Sequence, residues 1–332
     1  MESNEPYLEE KMIFEKQVEG AFEKAVRVRC DDTGTAYYFS ADDFPGLKKE
    51  AYAFENQKGE RLQGYFYHYD SPKPYRIVVF DHGMGGGHRS YMKEIERLAR
   101  EGYLVFAYDH TGCMESEGAH INGFAQSLAD LHAALLVLEK DPDYSPYTFS
   151  VVGHSWGGFS TLNITALHPE ITHVVAISGF LSVDRMLRQT FGGIMKPYYR
   201  RMRDIEYGAN PEFADYSAEK SLSSYRGKAL VIHSADDRVV HSKAHFHVLK
   251  KELAGRENIR FLEVDGKGHN PNYTEDAVRY KDLYLSELKS EGKKGHLNSE
   301  DAKRAFVSKF DWNRMTAQDE SVWAEIFSTL NS

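Results

Sequence analysis

The chain has 332 residues, of which 41% are hydrophobic and 27% charged, enough apolar content for a large core and unlike disordered, fibrous or membrane-spanning compositions. A formal net charge of −9, with no basic stripe to override it, repels phosphate backbones and argues against nucleic-acid partners. Cys30 and Cys113 are too few and too far apart in sequence for a disulfide framework or a zinc site, residues 1–10 are acidic where a secretory leader is basic, and no apolar run reaches the ~18 residues of a span. A cytoplasmic setting without redox chemistry, export or stable membrane insertion is therefore expected.

In chain order, residues 1–46 carry an amphipathic stretch over 7–26 and then an irregular aromatic segment ending at Pro45-Gly46, read as an N-terminal appendage. From residue 50 the pattern turns to period two. The two runs meet across Gln57-Lys58-Gly59, which predicts a hairpin whose turn uses the positive φ of glycine. Continuous apolar runs at 76–80, 103–107, 148–152, 173–177, 229–233 and 259–264 predict strands covered on both faces. The stretches 91–101, 124–139, 159–168, 242–254 and 275–290 have helical character. Strand–helix–strand repeated in this way predicts an α/β core over 47–290 with a mostly parallel sheet of about eight strands. Residues 180–226 are too long for an ordinary connection and rich in Tyr and Phe, so they predict an inserted helical lid. Residues 291–332 read as a C-terminal helical appendage whose last helix opens at Thr316, with Asp319 three residues on as a variant capping box.

The strongest chemical signal is Gly153-His154-Ser155-Trp156-Gly157, set between a predicted strand and a predicted helix. A serine there sits on a sharp, strained turn, and Gly153 and Gly157 allow the backbones to pass. The turn also sets a helix N-terminus beside any oxyanion that forms. Two later strands end in loops that supply an acid and a base at the carboxyl edge of the sheet. Asp236 and Asp237 compete for the first role, and His269 fits the second. Among other histidines, His241, His245 and His247 have spacing that suits zinc but lack metal-site partners, so no metal is expected. His88 and His110 fall on loops near the pocket as candidate substrate contacts, and His82 is expected to brace its loop.

Over about 50–290 the sequence resembles the α/β-hydrolase family, in its serine esterase/lysophospholipase and serine aminopeptidase-like branch. His82-Gly83-Met84-Gly85-Gly86-Gly87 is similar to the family's oxyanion loop, which implies the backbone N–H groups of Met84 and Trp156 as the oxyanion hole. The stretch 109–118 is similar to a second family loop, with Met114 where glycine is usual. The pattern before Val239-Val240 selects Asp237, and the order Ser155, Asp237, His269 is the one the family uses. The resemblance implies an ester-cleaving serine hydrolase that needs no cofactor, with a small-molecule ester or short peptide as substrate. A serine aminopeptidase-like peptidase is the alternative; Asp184, Asp204, Glu206, Glu212 and Asp215 offer carboxylates for a substrate ammonium, and Lys196, Arg200, Arg201 and Arg203 suit an anionic head group. A non-catalytic binding protein on the same scaffold is the third reading, and the terminal segments leave a homodimer open.

Overall fold

β1 (Lys48–Glu55) and β2 (Arg61–His68) form the predicted hairpin at one edge of an eight-stranded sheet ordered β1-β2-β4-β3-β5-β6-β7-β8. Gly59 takes φ 76° in the turn between them. The other strands are β3 (Ile77–Asp81), β4 (Leu104–Tyr108), β5 (Phe149–His154), β6 (His173–Ile177), β7 (Lys228–Ser234) and β8 (Ile259–Val264). β2 pairs antiparallel with β4, and every pairing from β4 onward is parallel. The computed structural model describes residues 12, 16–24, 27–71 and 74–332, apart from the side chains of 194 and 195. Half of the stretch read as amphipathic at 7–26 lies outside these residues, and 16–24 is helical.

The apolar runs were continuous because the central strands are buried on both faces. In β3, Ile77 and Val79 enter one core while Val78 and Phe80 enter the other, and β4 to β7 alternate in the same way. The first core is covered by α2 (Gln126–Lys140), α3 (Trp156–Asn163) and α7 (Phe246–Glu252). It is also covered by α4 (Val183–Thr190), α5 (Tyr199–Ala209) and α6 (Ala218–Ser223), which make up the insertion between β6 and β7. α1 (Met92–Arg100) covers the second core.

The described parts of both terminal segments are built into this body rather than appended to it. α8 (Glu275–Lys293) runs through the boundary expected at 290, and Tyr284 on it packs with Phe306 of α9 (Glu300–Val307) and Met315 of α10 (Trp312–Met315) in a third small core. α11 (Glu320–Leu330) places Val322, Trp323, Ile326 and Leu330 in the second core. Its cap is Asp319 itself, whose Oδ1 accepts from the N–H groups of Ser321 and Val322 at 2.9 and 3.1 Å, so the helix opens later than the expected Thr316. At the other end, Phe39 and Leu47 are buried in the second core.

The two cysteines also depart from the expectation. Cys30 and Cys113 lie side by side in an isolated parallel bridge, where Cys30 N–H donates to Gly112 at 2.8 Å and Met114 N–H donates to the Cys30 carbonyl at 2.9 Å. Both are buried free thiols. The Cys113 thiol donates to Cys30 and lowers its pKa, while its own is raised. Sequence distance had hidden the contact. Met114 stands at φ 42°, the left-handed conformation that explains why glycine is usual there. Among the described residues no helix is long and apolar enough to cross a membrane.

Candidate active site

Ser155 occupies the single residue between β5 and α3, at φ 58° and ψ −111°. A side chain holds this conformation only under strain, and the two flanking glycines show what imposes it. A Cβ on Gly157 would stand 2.0 Å from the Asp81 carbonyl oxygen, and one on Gly153 would stand 2.3 Å from the Gly157 oxygen. The strand and helix cross so closely that only hydrogen fits at both positions. Ser155 N–H is tied to the Ile177 carbonyl at 2.8 Å, which fixes the turn to β6.

The loops after β7 and β8 bring the other two residues to this point. His269 Nε2 lies 2.8 Å from Ser155 Oγ, and His269 Nδ1 lies 2.8 Å from Asp237 Oδ2. Asp237 is buried, and its Oδ1 accepts from Val239 and Val240 N–H at 2.8 and 3.0 Å. Burial pushes its pKa up, but the hydrogen bond and charge of His269 outweigh that and leave it below the ordinary carboxylate value. The two competing aspartates thus separate by geometry. Asp236 Oδ1 accepts from Gly268 N–H at 3.0 Å and from Ser234 Oγ at 2.5 Å, bracing the turn that carries His269.

A cavity of about 180 Å³ opens beside Ser155 and His269, walled by Met84, Ser90, Tyr91, Asn270, Tyr273 and Lys281 among others. Met84 lines it, whereas the Trp156 indole turns into the core and donates to the Phe124 carbonyl at 2.6 Å. Trp156 supplies the first backbone N–H of α3. Among the described residues none of the insertion's aromatic side chains forms part of this wall. Phe191 instead packs on Phe22, Tyr199 hydroxyl bonds Asp184, and Tyr207 hydroxyl bonds Asp215.

His154, read only as a spacer in the sequence, links two parts of the site. Gly83 N–H donates to the Tyr91 hydroxyl at 3.1 Å, that hydroxyl donates to His154 Nδ1 at 2.9 Å, and His154 Nε2–H donates to the His269 carbonyl at 2.7 Å. Burial, followed by the neighbouring His269, lowers the His154 pKa to about 3, which keeps the ring neutral as the relay requires. The residue before Met84 is thereby coupled to the backbone of His269. Tyr91→Phe leaves both Gly83 N–H and His154 Nδ1 without a partner. It is expected to lower kcat about tenfold, in the range for orienting partners, as measured by steady-state hydrolysis of a short-chain ester.

His82, His88 and His110 are tied into the structure around the site. His82 Nδ1–H donates to the Gly83 carbonyl at 2.8 Å and its Nε2 accepts from His110 N–H at 3.0 Å, so it braces its loop. His88 and His110 do not reach the cavity, contrary to expectation. His88 is buried between Tyr67 and Asp109, and His110 lies between Asp81 at 2.9 Å and Asp130 at 3.2 Å. Burial alone would lower the His110 pKa; the two carboxylates outweigh it and lift it to about 10. The spacing 241–247 gathers no metal ligands either: His245 Nδ1 accepts from Leu181 N–H at 3.2 Å, and His247 bonds Glu263 at 2.6 Å. Glu139, His168 and Glu170 bring ligand atoms within 4.8 Å of one another, with His168 bonded to Glu139 and to His132, each at 2.7 Å.

None of the insertion's carboxylates lines this cavity. Asp184 pairs with Arg188 at 2.7 Å and lies 3.6 Å from Arg203, while Asp204, Glu212 and Asp215 are exposed. Lys196, Arg200 and Arg201 also face solvent. Glu206 is buried, with Oε2 accepting from Phe124 N–H at 2.8 Å and Oε1 without a partner. Burial raises its pKa from 4.5 to about 7. The folded state therefore holds the proton more tightly than the unfolded chain, and stability is lost as pH rises from 4.5 through about 7. Glu206→Gln is expected to remove this loss, gaining on the order of 3 kcal/mol above pH 7 and little below pH 4.5. Urea unfolding across that pH range measures it, and parallel curves for the two proteins would contradict the assignment.

The parallel sheet, the strained serine turn and the loops that meet it give this chain the α/β-hydrolase fold. Residues 72–217 match the family model described as "Serine aminopeptidase, S33". The chain is 29% identical over 119 residues to a monoglyceride lipase of Rattus norvegicus, a match spanning 35% of this chain and 37% of the relative's length. An esterase of Pyrococcus furiosus has a similar fold, with TM-score 0.57 at 18% identity, covering 78% of this chain and 96% of that one. A putative dienelactone hydrolase of Klebsiella pneumoniae gives TM-score 0.54 at 15% identity, covering 86% and 99%.

Proposed function

We propose that this protein is a serine hydrolase that cleaves carboxylic esters through an acyl-enzyme. The observation that carries the reading is the continuous contact from Asp237 through His269 to Ser155 at the strained turn. His269 Nε2 takes the Ser155 proton as Oγ attacks the carbonyl carbon. The N–H groups of Met84 and Trp156 receive the charge that develops on the carbonyl oxygen. The C–O bond to the alcohol then breaks, and the alkoxide leaves with the proton from His269. Water, deprotonated by the same imidazole, attacks the acyl carbon and releases the acid and Ser155. Positioned proton transfer contributes about 10²–10⁴-fold, and each oxyanion donor about 2.7–4 kcal/mol. Asp237 holds the Nδ1 proton and offsets the imidazolium charge.

An ester substrate is favoured over an aminopeptidase substrate by the cavity wall. A peptide N-terminus brings an ammonium that needs a carboxylate, yet among the described residues the wall carries Lys281 and no carboxylate. The rat relative that shares part of the sequence is a lipase by name, which agrees with an ester. The reading includes a cytosolic setting, in which the Cys30–Cys113 pair stays reduced. A fluorophosphonate probe with native protein tests the reading: labelling is expected, and its loss in Ser155→Ala is required. Turnover of short-chain esters should exceed that of aminoacyl anilides. An unlabelled wild type would leave the binding-protein alternative standing, and faster anilide cleavage would favour the peptidase.

A further inference from the structure

Lys281 is the one cation on the wall of the cavity that holds Ser155, and no carboxylate pairs with it among the described residues. It projects from α8, and its Nζ donates to Asn270 Oδ1 at 3.0 Å, which leaves further ammonium protons unused. Its other neighbours do not neutralise it. The Tyr273 ring centre is 5.5 Å away, and His154 is held neutral by the Tyr91 hydroxyl and the His269 carbonyl. Glu94 and Asp282 act on it through space without forming an ion pair, and Asp282 faces solvent. Glu94 is buried and bonded to Asn272 Nδ2 at 3.0 Å, and burial raises its pKa, weakening it as a counter-charge. Burial likewise lowers the pKa of Lys281. A half-buried ammonium with no carboxylate in ion-pair contact is incompletely compensated, and an incoming anion repays part of its desolvation cost.

We infer that this cavity is the subsite for a carboxylate borne by the substrate, with Lys281 as its counter-ion and Ser155 acting on an ester a few bonds away. The inference rests on the serine-hydrolase reading and narrows its substrate class to half-esters of short dicarboxylic acids or esters of comparable charge. At about 180 Å³ the space is below the ~300–1,000 Å³ of sites for drug-sized ligands, which suits a short acidic arm rather than a long acyl chain. Ser90 and Asn270 on the same wall offer polar side chains to the remaining carboxylate lone pairs. The subsite also predicts rejection of cationic substrates, because like charge in a desolvated pocket is penalised.

Three methyl esters of matched length test it: monomethyl glutarate, methyl valerate and the methyl ester of γ-aminobutyrate, followed by pH-stat. In the wild type, kcat/KM is expected to fall in that order, with at least about tenfold between the first and second. Lys281→Met should abolish the preference mainly through KM, Lys281→Arg should retain most of it, and Lys281→Glu should favour the cationic ester. No preference in the wild type, or a preference that survives in Lys281→Met, overturns the subsite. Equal loss on all three esters in Lys281→Met also overturns it, since Lys281 would then only hold Asn270 and the His269 loop. A binding arm needs no turnover: by calorimetry, Ser155→Ala protein should bind glutarate about tenfold more tightly than the same protein carrying Lys281→Met. If glutarate binds in this way but no ester is cleaved, the subsite stands and the hydrolase reading fails. If esters are cleaved but glutarate binds both proteins equally, the reverse holds.

Discussion

Replacing Ser155 by alanine is expected to lower kcat for a short-chain ester by roughly 10⁶-fold, the scale of nucleophile loss in serine hydrolases. On the proposed mechanism the effect is large because Ser155 is the group on which the acyl-enzyme would form. A residual rate about 10³–10⁴-fold above water should persist, since the Met84 and Trp156 N–H groups remain. His269→Ala should cost about as much, and the double variant little more than either alone, because the two side chains act as one unit through the 2.8 Å contact. Single-turnover kinetics on protein titrated with a fluorophosphonate would separate this from contaminating activity. Additive losses in the double variant would mean that Ser155 and His269 do not work as a pair.

The central strands were legible because burial on both faces leaves them few polar positions, whereas the edge strand β8, expected to be covered on both faces, is buried only at Ile259 and carries Arg260 and Glu263 exposed. The runs at 173–177 and 259–264 match β6 and β8 residue for residue, and the others shift by only one or two residues at an end. The serine turn was legible for a steric reason: two glycines around one residue mark a crossing that no side chain fits. What was not legible depends on contacts between distant residues. Cys30 meets Cys113 only because residue 30 is laid along the loop after β4. Tyr91, His154 and Lys281 look like ordinary helix and spacer residues until the loops after β5 and β8 converge. The aromatic content of 180–226 predicted a lid, but rings such as Phe191, Phe213 and Tyr216 pack within the insertion and on its neighbours, and composition does not distinguish the two uses. The stripe Val322, Trp323, Ile326 and Leu330 did carry a signal of burial, since residues three and four apart share a helix face.

Asp237→Asn is expected to lower kcat about 10⁴-fold, whereas Asp236→Asn should cost only a few-fold, although the residues are adjacent and both are hydrogen-bonded. The difference follows from which proton each controls. Asp237 Oδ2 accepts from His269 Nδ1 and so leaves Nε2 free to accept the Ser155 proton. An asparagine amide there donates to Nδ1 and forces the other tautomer, in which Nε2 carries a hydrogen and cannot act as base. The Val239 and Val240 N–H groups hold Oδ1 and would keep the asparagine in the orientation that presents its amide to the ring. Asp236 accepts from Gly268 N–H and Ser234 Oγ, so its substitution loosens the turn without altering the tautomer. The two variants should also differ in pH response. Raising the pH and adding an exogenous imidazole base are expected to recover part of the Asp237→Asn rate and to leave Asp236→Asn unaffected. Equal losses in the two variants would show that the carboxylates share the role, and a large loss only in Asp236→Asn would reverse the assignment.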